Sequence, residues 1–194
     1  MIELAPLVTY SIVMSSTPGP NNLMLTASGA NFGFRRSLPH ISGISAGMLV
    51  QTAVTCLGLG SLFTSYSTLH GVLRIAGALY LLVLAWKLAG SAVADVSLAR
   101  PLSFAQAAAF QAVNPKSWVK SVTLASVFMP AGLDVVTGTL VVTLVTVAIG
   151  VPCVSVWALF GVAIRRVLTD TRRRRAFNAI MAATLIVLAV SFLR

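Results

Sequence analysis

The chain has 194 residues, of which 57% are hydrophobic and 9% charged, and its net charge is +10. A soluble domain carries roughly 25% charged residues, so this chain lacks the polar surface to face water on all sides. Two cysteines, Cys56 and Cys153, both inside apolar stretches, are too few and too sheltered for a disulfide framework and read as small buried hydrophobes.

A helix that crosses a bilayer needs about 20 apolar residues with few charges. The charges cut this chain into six such segments, all α. Leu4 to Phe34 is the first and carries none. Met1-Ile2-Glu3 ahead of it has no basic region and no cleavage pattern, so the segment reads as a retained helix. As one straight helix it would measure roughly 46 Å against a hydrocarbon core of about 30 Å. Ser16-Thr17-Pro18-Gly19-Pro20-Asn21-Asn22 interrupts it. Two prolines remove two amide donors, and a glycine permits unusual backbone angles. A simple kink needs less than seven consecutive breaker or polar residues. A helix is expected to end near Ser16 and restart near Asn21, exposing carbonyls on one side and amides on the other. Lipid cannot satisfy such groups, so they must line a cavity. The amide end favours a carboxylate and the carbonyl end an ammonium; a free amino acid carries both.

Arg35-Arg36 precede the second segment, Ser37 to Leu73, with His40 and His70 near its ends. Gly43 and Gly47 give a spacing that lets helices approach closely, within the bundle or in a homo-oligomer. The third segment covers about 71–90, the fourth about 103–129. The fourth holds the second break, Asn114-Pro115-Lys116, roughly at mid-depth. Lys116 either pairs with a substrate carboxylate or gates its passage, or it reaches for the outer interface. Lys120, four residues on, is expected to reach for that interface. The fifth segment runs from Val135 to Ile164, with Gly150 and Pro152 suggesting a hinge. The sixth runs from Ala176 to Leu193, after Arg172 to Arg175.

Lys and Arg concentrate in the connections after segments one, three and five. By the positive-inside rule these face the cytoplasm and both termini lie outside. The four-arginine run then anchors topology against lipid headgroups, and no nucleic-acid partner is implied. Pro18 and Pro115 are 97 positions apart, as are Cys56 and Cys153, and 97 is half the chain. The expectation is one domain of six transmembrane helices, built as two inverted three-helix repeats at about 1–97 and 98–194. Paired breaks of this kind point to a transporter's substrate site. The residues assigned to it are Thr17, Pro18, Gly19, Pro20, Asn21, Asn22, Asn114, Pro115 and Lys116. The four carboxylates, Glu3, Asp95, Asp134 and Asp170, lie near segment ends, so no intramembrane proton acceptor is evident. No cofactor loop, metal cluster or nucleophile–base pair is present either, which argues against an enzyme.

At these residues the chain resembles the LysE/RhtB superfamily of bacterial amino-acid exporters. Thr17-Pro18-Gly19-Pro20-Asn21-Asn22 is similar to the family's first-helix signature, and Phe110-Gln111-Ala112-Val113-Asn114-Pro115-Lys116 to its second-half motif. Gly33-Phe34-Arg35-Arg36-Ser37, the Gly43/Gly47 pair and Gly77-Ala78-Leu79-Tyr80-Leu81-Leu82 fall between them in the family's order. The resemblance implies efflux of a small amino acid or close derivative across the bacterial inner membrane, driven by proton antiport. A passive channel or pore for small zwitterions is the rival reading. Members exporting lysine, threonine, homoserine, homoserine lactone, leucine, or cysteine and O-acetylserine share these motifs. Trp86-Lys87 and the overall spacing look closest to the cysteine/O-acetylserine branch. Without a carboxylate in the membrane core, a dibasic substrate is disfavoured.

Overall fold

A computed structural model describes residues 4–59, 67–90, 100–168 and 170–193. They form eight α-helices: α1 Leu4–Ser16, α2 Pro20–Phe32, α3 Phe34–Val54, α4 Ser67–Gly90, α5 Phe104–Val113, α6 Pro115–Val127, α7 Val135–Arg165 and α8 Thr171–Leu193. A short π-helical stretch, Thr55–Leu59, prolongs α3. No strand occurs among the described residues.

Both expected breaks are present. Pro20 opens α2 as its first helical residue, with Gly19 extended before it. That is where a proline costs a helix nothing, because the missing amide would have had no partner. Pro115 does the same for α6, and Asn114 caps that helix by accepting from the Lys116 backbone N–H at 3.1 Å. Helix α5 opens on a reciprocal capping box between Ser103 and Gln106. Elsewhere the boundaries shift. Only Gly33, at φ +84°, separates α2 from α3, so Arg35 and Arg36 stand in the first turn of α3. The arginine run belongs to the start of α8, where Asp170 accepts from the Arg173 N–H at 2.7 Å. Helix α7 continues through Pro152 without a break. The buried Gly150 serves close packing instead: a Cβ there would press on the Met48 side chain of α3. Glu3, Asp95 and the side chains of His70 and Arg74 lie outside the described residues.

The surface is inverted relative to a water-soluble protein. Val13, Val119, Leu140, Leu144, Val156, Phe160 and Val187 are all exposed, while Ser11, Ser15, Thr26, Ser28, Ser37, Thr143 and Thr146 are buried. Apolar side chains face outward and small polar ones face the neighbouring helices, as packing in lipid requires. Three helical stretches are long and apolar enough to cross a membrane: Phe34–Gly58, Val135–Arg165 and Thr171–Ser191. Leu4–Ser16 and Ile75–Ala89 are shorter apolar helices.

Close contacts run through small residues. Gly43 and Gly47 pack within the chain, against Phe104, Ala107 and Ala108 of α5. Gly29 of α2 and Gly161 of α7 oppose each other's backbones. Ala78, Leu81 and Ala85 of α4 meet Ala182, Leu185 and Ala189 of α8. Cys56 is buried beside Leu7, Leu124 and Val142, and both cysteines are free thiols. Tyr10 stacks on Phe128 with ring centroids 5.0 Å apart, and so packs in that cluster rather than at the site.

Asp134 caps α7, accepting from the backbone of Val136 and Thr137 at 3.0 and 3.1 Å. Hydrogen bonds from Thr137, led by its side chain, hold the carboxyl below the usual carboxylate range. A lowered folded-state value gives stability that is present above the ordinary range and lost as pH falls through the folded one. Asp134→Ala should therefore lower the thermal midpoint in detergent at neutral pH. The deficit relative to wild type should shrink on acidification, and Asp134→Asn, which still caps, should show little of it.

Candidate functional site

The two breaks meet. Helix α1 ends by presenting carbonyls that no further helical turn can use. Two side chains take them up. Asn22, from the first turn of α2, is 4% exposed and its Nδ2 donates to Ser15 O at 2.9 Å and Thr17 O at 2.8 Å. Lys116, from the first turn of α6, brings its Nζ to Thr17 O at 2.7 Å, Thr17 Oγ1 at 2.8 Å and Pro18 O at 3.2 Å. A cation at the negative end of a helix dipole is favourable. Gly19 makes the approach feasible: a Cβ there would lie 2.9 Å from Lys116 Cδ.

Beneath this cradle Asn21 and Gln111 exchange side-chain hydrogen bonds at 3.1 and 3.2 Å, tying α2 to α5. Ser117 Oγ donates to Gln51 Oε1 at 2.6 Å and is within 3.0 Å of Gln111 Oε1. These groups, Gln51 apart, border a cavity of about 50 Å³ between the breaks. By volume it holds a few waters. Gly19, Pro20, Asn21, Asn22, Asn114 and Lys116 all line it. Thr17 and Pro18 do not; they hold the Lys116 amine at its exposed rim. Pro115 is likewise absent from the lining and acts by opening α6.

Two expectations need correction. Lys120 does not reach for an interface. It is 7% exposed, lines the cavity, and donates to Ser15 Oγ at 2.8 Å, with Met48 Sδ at 3.5 Å. Lys116 and Lys120 share one helix face, and that face is turned inward against α1 and α3. His40 is not peripheral either. Helix α3 starts at Phe34, so His40 lies in its second turn, 1% exposed, and neither ring nitrogen has a hydrogen-bond partner among the described residues. Sequence reasoning also passed over Ser15, Gln51, Met48 and Ser117 as site residues. The one available signal was four-residue spacing: Gln51 lies four after Gly47, and Lys120 four after Lys116.

The site is cationic. Arg173 and Asp170 form an exposed ion pair away from it, and no grouping of His, Cys, Asp and Glu among the described residues could hold a metal. What remains is a pair of helix ends, uncharged amides and hydroxyls, and two ammonium groups: a binding surface without a nucleophile–base pair.

A family model described as LysE type translocator matches residues 12–194. A cysteine/O-acetylserine efflux protein of Shigella flexneri serotype 5b is 32% identical over 191 residues, covering 97% of this chain and 96% of that one. The protein of the same description from Escherichia coli K12 is 33% identical over 184 residues, covering 94% and 93%. No solved structure matches the chain. With nearly its whole length matched, two proline-broken helices joined at a polar cavity and an outward apolar surface, the chain belongs to the LysE type translocator family and is a membrane transporter rather than an enzyme.

Proposed function

We propose that the protein exports a small amino acid or close derivative, with cysteine and O-acetylserine the leading substrates, from the bacterial cytoplasm across the inner membrane. The observation that carries this reading is the Lys116 amine of one break seated on the Thr17 and Pro18 carbonyls of the other. The cavity beside it is the substrate site, lined by Gly19 to Asn22, Asn114 and Lys116 and framed by Thr17, Pro18 and Pro115. Cysteine and O-acetylserine come from the names of the relatives.

In this reading α1–α2 and α5–α6 are two broken spans. With α3, α4, α7 and α8 they make six crossings in inverted halves at about 1–97 and 98–194, with both termini outside. One half rocks against the other, and the Lys116 contact is the latch that a passive pore would not need. Export is coupled to inward proton movement, and His40 carries the proton. An imidazole can both take up and release a proton, and both ring nitrogens here are buried and unpartnered among the described residues. Its own helix holds Arg35 and Arg36; the elements packed on α3 bring Cys56, Lys116, Lys120, Cys153 and Arg165, and α2 and α5 bring no ionisable group.

The test is efflux from cells with and without the protein, then transport by purified protein in liposomes. Expected results are excretion of cysteine or O-acetylserine and, in liposomes, accumulation against a gradient when a pH difference is imposed. His40→Leu should keep counterflow within about twofold and lose pH-driven accumulation. Flux that only runs downhill would sink the carrier reading, and pH-driven accumulation in His40→Leu would sink the role of His40.

A further inference from the structure

The cavity carries positive charge that nothing in its walls balances. Lys120 is buried on α6, and its ammonium has three protons to donate. It finds one good acceptor, Ser15 Oγ, and one weak one, the Met48 thioether. No carboxylate lies at the site among the described residues: Asp134 and Asp170 are both exposed at helix starts, engaged in capping. A buried ammonium without a counter-charge is costly, and a carboxylate entering the cavity relieves that cost. The first turn of α2, at Gly19 to Asn22, also lines the cavity, and the Asn21 and Asn22 amides at that helix start have no intrahelical acceptor. The opposite holds for a cation. The acceptors best suited to a substrate ammonium are the carbonyls of Thr17 and Pro18, and the Lys116 amine already occupies them.

We infer that Lys120 anchors the substrate carboxylate and that Lys116 stands where a substrate ammonium would bind, so the site selects small carboxylates and does not require their amine. This rests on the export reading for the identity of the substrates. It extends them to carboxylates without an amino group and excludes amines without a carboxylate.

The experiment uses purified full-length protein and four probes: cysteine, mercaptopropionate (the same molecule without its amine), cysteamine (without its carboxylate) and nitrate (an anion that is not a carboxylate). Binding is read by thermal shift and by competition in liposome counterflow. Mercaptopropionate should bind within about threefold of cysteine, and cysteamine at least tenfold more weakly, the factor expected when a hydrogen bond to a charged group is lost. Lys120→Met should erase that preference to within about threefold, and Lys120→Arg should retain it. Should Lys120→Met fail to fold, the wild-type ranking and Lys120→Arg still decide. Equal binding of cysteamine and mercaptopropionate overturns the inference, as does an unchanged preference in Lys120→Met. Nitrate binding as well as mercaptopropionate overturns the assignment to carboxylates. Carboxylate binding that depends on Lys120, without transport of any amino acid, would uphold this inference and defeat the export reading; transport with no carboxylate preference would do the reverse.

Discussion

Asn22→Ala is expected to abolish export while leaving the protein in the membrane. The side chain satisfies two carbonyls, Ser15 O and Thr17 O, that the proline break strips of their helical partners. Removing it leaves the buried Ser15 O unpaired, at about 1–3 kcal/mol, and leaves Thr17 O to Lys116 alone. Helix α2 should survive, because its opening contact, Leu23 N–H to Gly19 O at 3.0 Å, belongs to the backbone. What fails is geometry. Thr17 O accepts from Asn22 and Lys116 together, so a C-terminus of α1 that drifts carries the latch with it. Asn22→Asp is the sharper variant. It keeps the shape but replaces two donated protons with an acceptor facing two carbonyls. Both variants should fall at least tenfold in efflux rate, the effect of about 1.4 kcal/mol on the transport barrier. Lys116→Ala should fall similarly. The membrane fraction of each should stay within about twofold of wild type by immunoblot. Wild-type efflux from Asn22→Ala would remove the α1–α2 break from the transport site.

The breaks were legible because proline and glycine act locally: a missing amide in a run of apolar residues says where a helix must stop, whatever surrounds it. Their meeting was hinted at by the 97-residue offset, yet the contact itself is tertiary. Thr17 and Lys116 come together only because α1, α2, α5 and α6 converge. Lys120 shows the limit. Its spacing from Lys116 gave the shared face but not the direction of that face, which depends on Ser15 and Met48 across the cavity. His40 misled through its neighbours, since Arg35 and Arg36 suggested an aqueous loop where a single residue, Gly33, joins two helices. Gly150 and Pro152 suggested a hinge; the helix runs on through both, and what the sequence did not show is that Met48 takes the space at Gly150.

The largest loss of folded protein should come from Gly29 and Gly161, which drew no notice in the sequence: Gly29 is the only glycine within α2, and the nearest glycine to Gly161 within α7 is Gly150. They lie where α2 and α7 touch backbone to backbone. A Cβ on Gly29 would overlap the Ala158 carbonyl and sit 3.2 Å from Val162 N; one on Gly161 would overlap the Thr26 carbonyl and sit 2.9 Å from Ala30 N. A crowded side chain can rotate away, but these atoms are main chain, so the helices must part. Overpacking of a core costs about 1–3 kcal/mol where side chains can adjust, and Gly29→Ala and Gly161→Ala should each reach or exceed that range. Separation would also stretch the Thr26 Oγ1 to Trp157 O hydrogen bond, already 3.3 Å, which spans the same two helices. The double variant should cost less than the sum, because the first Cβ already opens the gap the second needs. Gly71→Ala is the control: it lies within α4 with nothing among the described residues within 4 Å of a Cβ, so it should be neutral or gain up to about 1 kcal/mol from helix propensity. Thermal midpoints and monodisperse yield in detergent separate these cases. A Gly29→Ala protein as stable as Gly71→Ala would mean that α2 and α7 do not approach this closely, and the inner wall of the cavity would have to be redrawn.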